Sequence, residues 1–402
     1  MSHAATPELN AESVSIPAGS LWAKAPALAL GAGAAAMAGG LATGAFHGEG
    51  ATAYLVSYLY FFTIAAGALF FIVIQHATRA GWSVAVRRIA ELLAMGLPMM
   101  ALLFAPIWLS SHDVYHHWMS EEAANDPVLV AKAGYLNPGF WTARTVFYLA
   151  AMSGMAWFFF SNSAAQDKTG DHKHSYRMRS LSYPFLPVLA LSMTFAAFDW
   201  SMSLDPHWFS TMFGVCFFAG SQVAFFGVTA LLGHALKGSG VLKQLNTEHF
   251  HDLGKYLFGF TIFWAYVNFS QFMLIWYGNI PEETIWFRHR WEEYGWMSYS
   301  LFLAIGHFGF PFWFLMSRHI KRNKVTLIFG AAWLLMMHYL DLFWQVMPTI
   351  QHEGPHVTLG HILSFVGIGG LYFGVVGMLA RKQALMPVRD PRLSESLSYE
   401  NF

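Results

Sequence analysis

Ten separated runs of apolar residues, each near the roughly 20 that a helix needs to cross a bilayer, constrain this chain more than any other feature. They lie at 21–46, 53–76, 89–111, 139–163, 183–203, 209–235, 254–278, 295–317, 325–347 and 360–381. Backbone placed in lipid has no water to bond with, so each run is read as a helix. Composition points the same way: 55% of residues are hydrophobic and 11% charged, against about 25% charged in soluble domains. The expected fold class is an all-α polytopic membrane protein with ten transmembrane helices. Net charge is zero, so no basic surface argues for a nucleic-acid partner.

The basic residues set the orientation, because Lys and Arg collect on the cytoplasmic side. One side holds only Lys132, Arg144, Arg288 and Arg290 of the 23. An even number of crossings then puts both ends in the cytoplasm: a solvated tail at 1–20, a ten-helix domain at 21–381 and a second tail at 382–402. The first residues carry acids and no basic region, unlike a signal peptide. With one cysteine, Cys216, the chain has no disulfide framework, no paired-cysteine zinc motif, no CxxCH haem attachment and no cysteine-ligated cluster. The Gly/Ala-rich first run is expected to pack closely on a neighbouring helix, in this chain or in another subunit. The loop at 112–138 reads as a folded cap or docking surface, and the loop at 164–182 as solvated.

Ionisable residues inside the spans cost about 2.5–3.5 kcal/mol each on insertion scales, so each calls for a reason. They are Arg144, Asp199, His307, His338 and Asp341, joined by the amides Gln222, Asn268, Gln271 and Gln345; Glu91 and His234 lie nearer the helix ends. His338, Asp341 and Gln345 are spaced by three and four, so they share one helix face. Asn268 and Gln271 do the same. Arg144 is at the right depth to compensate Asp199. His307, His338 and Asp341 are the candidates for moving protons, since imidazole titrates near neutrality and burial raises a carboxyl pKa. A haem between His307 and His338 is a further reading. The histidine clusters in loops (His112, His116, His117; His172, His174; His249, His251) lack partners at metal-ligand spacing.

Asp199 precedes Pro206 by seven residues and Asp341 precedes Pro348 by seven, an offset of 142 in both cases. Helices 2–5 and 6–9 are therefore read as parallel repeats, an arrangement that places polar sites at the repeat interface in many transporters.

Three stretches carry a resemblance: FDWSMSLDPHWFSTMFG (Phe198–Gly214), NFSQFMLIWYGNIPEET (Asn268–Thr284) and HYLDLFWQVMP (His338–Pro348). They resemble the ActF family of membrane subunits of bacterial alternative complex III, a quinol:cytochrome c or other electron-acceptor oxidoreductase. That family is related to the NrfD/polysulfide-reductase membrane subunits. The resemblance implies two four-helix bundles, 53–203 and 209–347, with helices 1 and 10 outside, in a bacterial inner membrane. It implies partners: the multihaem cytochrome ActA, the iron–sulfur protein ActB, the NrfD-like ActC, the membrane subunit ActD and the monohaem cytochrome ActE, with a terminal oxidase as a further neighbour. Haem c and iron–sulfur clusters belong to those partners, and quinol to the paralogous ActC. This chain is expected to hold no catalytic residue, cofactor or metal of its own, only bound lipids. Asp199 and Asp205 stand in the family's motif, and His338 and Asp341 in the matching place on the ninth helix; His307, Arg144 and Gln222 are additions from burial.

Four functions compete on this reading. The first is a non-haem subunit that anchors redox partners and conducts protons through Asp199, Asp205, His307, His338, Asp341 and Arg144. The second is a quinol-binding subunit in its own right, with its pocket among helices 2–5 and Asp199 or His338 at the head. The third is a secondary transporter, and the fourth a purely structural anchor.

Overall fold

The computed structural model describes residues 9–292 and 295–400. Among these there is no strand, and ten helices are long and apolar enough to cross a membrane. They are α1 (Leu21–Ala42), α2 (Glu49–Ala77), α3 (Val84–Leu109), α4 (Pro138–Thr169), α5 (Lys173–Leu204), α6 (Phe213–Gly238), α7 (Thr247–Gly278), α8 (Trp296–Met316), α9 (Lys324–Thr349) and α10 (Leu359–Ala380). The protein is an all-α, multi-pass integral membrane protein.

The helices form two four-helix bundles, α2–α5 and α6–α9, joined where α2 and α5 pack on α6 and α2 reaches α9. The joint is tight because Gly67 has no side chain: a Cβ there would stand 2.4 Å from the Ser221 carbonyl oxygen. Both flanks of α2 are therefore covered, and nearly all its residues are buried. Helices α1 and α10 pack on each other outside the bundles. Gly33 meets the backbone of Gly367, Gly370 and Leu371, and Gly374 and Gly377 meet Leu30 and Pro26. The small residues of α1 thus serve an intramolecular contact, while its other face stays exposed.

Proline breaks the regular ladder at identifiable places. In α3, Pro98 and Pro106 begin new segments after Gly96 and Phe104, since neither can donate to the residue four back. In α8, Pro311 removes the N–H that would bond the His307 carbonyl, and residues Ala304–Gly309 form a π-helical turn. Trp333 Nε1 donates to the Gly306 carbonyl in that turn at 2.7 Å.

The loop at 164–182 and the two tails differ from their expected form. Residues 164–182 continue α4 and α5 as helix and leave only a short turn. The two ends are not solvated tails where they are described: Val14 is fully buried, and its carbonyl accepts the Leu385 N–H at 2.8 Å. Leu385, Met386 and Ser396 are buried as well. Residues 1–8 and 401–402 of those expected tails lie outside the described residues. The cap at 112–138 is folded into short helices: Tyr115 Oη and Trp118 Nε1 donate to the carbonyls of Trp200 and Ser203. The side carrying both ends is the terminal face, and the opposite side is the far face.

Candidate functional site

Near the end of α5, Asp199 is completely buried. Arg144 of α4 grips it with two hydrogen bonds, Nε to Oδ2 and Nη2 to Oδ1, both 2.8 Å. Tyr148 Oη donates to Oδ2 at 2.9 Å. The guanidinium is itself sandwiched, 3.7 Å from the Tyr135 ring centroid and 4.3 Å from Phe140, and Nη1 donates to the Tyr135 carbonyl. Both carboxylate oxygens and every terminal nitrogen are satisfied. Planar bidentate geometry makes this a strong pair.

The matched position on α9 is built differently. Asp341 is 1% exposed. Its Oδ2 accepts from Trp264 Nε1 at 3.0 Å and from Gln345 Nε2 at 3.1 Å. Its Oδ1 has no hydrogen-bond partner, and no cation pairs with it among the described residues. One turn away, His338 Nε2 meets Thr63 Oγ1 of α2 at 2.9 Å, and Nδ1 is bare. Gly220 of α6 makes room for both groups: a Cβ there would stand 3.0 Å from His338 Nδ1 and 3.9 Å from Asp341 Oδ2.

His307 sits in the π-helical turn, fully buried. Its ring stacks on Trp264, centroids 3.9 Å apart, and neither ring nitrogen has a partner. Trp264 therefore touches His307 with its face and Asp341 with its N–H. Three titratable side chains from α8 and α9, together with Trp264, Thr63 and Gln345, form one polar cluster inside the second bundle and against α2. Four of their polar atoms are left unpaired: Asp341 Oδ1, His338 Nδ1 and both His307 nitrogens. Buried polar atoms normally find partners, so this is an unusual concentration of open proton donors and acceptors.

The other expected residues are placed elsewhere. Asp205 is part-buried in the far-face turn, with Oδ2 3.9 Å from His289 Nδ1. Gln222 is buried and lies 3.4 Å from Ser221 Oγ. Asn268 donates to the Trp264 carbonyl one turn back in its own helix, and Gln271 accepts from Ser210 Oγ, which ties α7 to the turn before α6. Of the loop histidines, His249 closes a capping box with Asn246 at the start of α7.

Several members of the site carry no obvious mark in the sequence. Trp264, four residues before Asn268 on α7, is one apolar-looking residue among the many aromatics of that run, and only the structure shows its N–H on Asp341. Arg290, in the Pro281–Trp291 helix, is fully buried. It donates to the carbonyls of Trp344 and Gln345 at 3.1 and 2.7 Å, closing the last turn of α9 just beyond Asp341, as cations do at helix C-termini. A second buried network sits on the terminal-face side: Arg88 pairs with Glu91 at 2.8 Å and with Asp167 at 2.6 Å, and Arg87 pairs with Asp390.

A cavity of about 490 Å³ opens between α7 and α8, lined by Trp264, Asn268, Phe272, Ser300 and Trp344 among others. It is not among helices 2–5. Trp264 stands between this cavity and Asp341.

No protein-family model matches the chain, and no curated protein sequence matches it.

Proposed function

We propose that the chain is a membrane subunit of a quinol:electron-acceptor oxidoreductase of the alternative complex III kind, and that its second bundle carries a proton-accepting site centred on Asp341. The chain then lies in a bacterial inner membrane with the terminal face toward the cytoplasm, the side that the Lys and Arg bias favours. It anchors haem- and cluster-bearing partners and supplies them with a protonatable relay. The observation that carries the reading is the contrast between matched acids. Asp199 is neutralised by a bidentate arginine, whereas Asp341 is buried with an open oxygen and no cation. A carboxyl group in that position holds or releases a proton instead of a fixed charge. His338 and His307 extend the reach of that proton along α9 and into α8.

The test has two parts. Affinity purification of the chain from its native membrane should bring down haem c and iron–sulfur proteins; purification of the chain alone would sink the complex assignment. In the reconstituted complex, Asp341→Asn should lower the protons moved per electron while assembly stays intact. Unchanged coupling in that variant would remove the relay.

A second reading rests on the cavity between α7 and α8. Its volume and apolar lining suit the head and first isoprenoid units of a quinol, with Trp264 linking the ring site to Asp341 as general base. Quinol-analogue protection of Trp264 fluorescence, lost in Ser300→Trp, would favour it over the relay alone.

A further inference from the structure

Where α2 ends on the terminal face, a polar cleft of about 300 Å³ opens between α2, the start of α5 and the C-terminal segment. Arg79, Arg87, Arg179 and Arg392 line it, with Gln75 and His76 on its inner wall. The proton-site reading does not involve this cleft.

Its charge is unbalanced. Arg87 is paired with Asp390 and Glu91. Arg392 Nε pairs with Glu395 at 3.1 Å, but its Nη1 is buried without a hydrogen-bond partner. Arg79 and Arg179 have no carboxylate partner among the described residues. Asp390 is the one carboxylate lining the cleft. The inner wall is also unsatisfied: His76 is only 7% exposed and its Nε2 has no partner, and the same holds for the buried Gln75 Oε1. Since a polar atom buried without a partner costs about 1–3 kcal/mol, the bare nitrogens of His76 and Arg392 call for an acceptor.

Two local features point the same way. Ser175 and Tyr176, in the first turn of α5, line the cleft, and a helix N-terminus favours an anion. Arg79 holds a left-handed backbone, φ 58°, directly after α2. Glycine is the usual residue there, and a side chain costs roughly 1–2 kcal/mol. An arginine kept at that cost is a side chain with a use.

We propose that this cleft binds a phosphate-bearing anion, held by Arg79, Arg179 and Arg392 with His76 behind it. Arginine forks suit phosphate oxygens. Two sources share this chemistry: the headgroup of an anionic phospholipid in the terminal-face leaflet and free inorganic phosphate.

The experiment uses the full chain in nanodiscs. In one arm the discs contain phosphatidylcholine with phosphatidylglycerol, and native mass spectrometry counts retained phosphatidylglycerol. In the other they contain phosphatidylcholine alone, and inorganic phosphate is titrated against thermal stability. Retained phosphatidylglycerol supports a headgroup site, and a phosphate-dependent rise in melting temperature supports free phosphate. Arg179→Ala should weaken the responding arm about tenfold or more, the loss of one charge-assisted contact. Arg79→Gly removes the guanidinium while easing the backbone. It should leave the unliganded protein at least as stable as wild type and still weaken binding about as much. Response in neither arm, or equal response in wild type and both variants, overturns the proposal.

Discussion

Asp199 and Asp341 each lie near the far-face end of a helix, seven residues before a proline, yet they carry different loads. Removing the charge from Asp199 leaves Arg144 buried against two aromatic rings with no carboxylate. Asp199→Asn should therefore destabilise the protein by about 3–5 kcal/mol, the usual outcome of breaking a buried pair. Asp341→Asn removes no partner from a cation and keeps an oxygen to accept from Trp264. It should change stability by under about 1 kcal/mol. Unfolding of the two variants in one detergent checks the contrast, and equal losses would contradict it. Much of this was legible in the sequence. The depth of Arg144 pointed to Asp199, and the three-and-four spacing put His338, Asp341 and Gln345 on one face. Thr63 was not legible, because a threonine in an apolar run looks like any other core residue and its partner lies 275 positions away. The Arg88–Asp167 pair escaped for the same reason: hydropathy placed Asp167 in a loop, and 79 residues separate the two.

Hydrophobic run length located all ten helices, because the bilayer demands that length wherever it is crossed, but α5 and α7 begin ten and seven residues before their apolar runs, at Lys173 and Thr247. What run length does not carry is which helix touches which. The glycine register of α1 and α10 supplies that here, since a Cβ at Gly370 would stand 2.6 Å from the Ala29 carbonyl oxygen. Gly370→Val should push α1 outward at a cost of about 1–3 kcal/mol, as overpacking does. Hydrogen exchange should then quicken across α1 and stay unchanged in α2. A second element-level effect concerns the loop before α10. Gln351 Nε2 donates to Glu49 at the start of α2, and His356 Nε2 lies 3.2 Å from the same carboxylate. A hydrogen bond to the Gly354 carbonyl, then the charge of Glu49, holds the His356 pKa above its ordinary value. The protonated form is the one the fold favours. Its contribution is complete below about pH 6.5 and fades as pH rises through the raised folded value. His356→Gln should be less stable than wild type near pH 6 and equal to it near pH 9. Because the ring is half-exposed, the gap should stay under about 1 kcal/mol.

Across the whole molecule, the two bundles are joined in the membrane by α2 and α6 and on the terminal face by the last segment of the chain. Ser396 Oγ donates to the Trp82 carbonyl and accepts the Ala85 N–H beside the first bundle, while His249 Nε2 of the second bundle meets the same hydroxyl at 3.2 Å. Asn246 donates to the Tyr399 carbonyl, and the Ala384 carbonyl accepts from Arg88. A segment with few apolar residues, which hydropathy reads as a solvated tail, is thus a clasp between the two bundles. Asp390 is its electrostatic anchor. Burial alone would raise its carboxyl pKa, but the Arg87 guanidinium and the Arg392 N–H more than offset that and hold it below the ordinary value. The stabilisation is therefore present above about pH 3.9 and is lost as pH falls through the folded pKa. Asp390→Asn should lower the unfolding temperature at neutral pH, with the gap from wild type closing as the pH drops below about 4. Ending the chain at Lys382 removes the clasp altogether and leaves Arg87 and Arg88 short of partners. The truncated protein should lose at least the several kcal/mol of a broken buried pair, and rapid proteolysis of its α2–α3 and α6–α7 turns should follow. If the truncated chain melts where wild type does, the bundles are held by their membrane contacts alone.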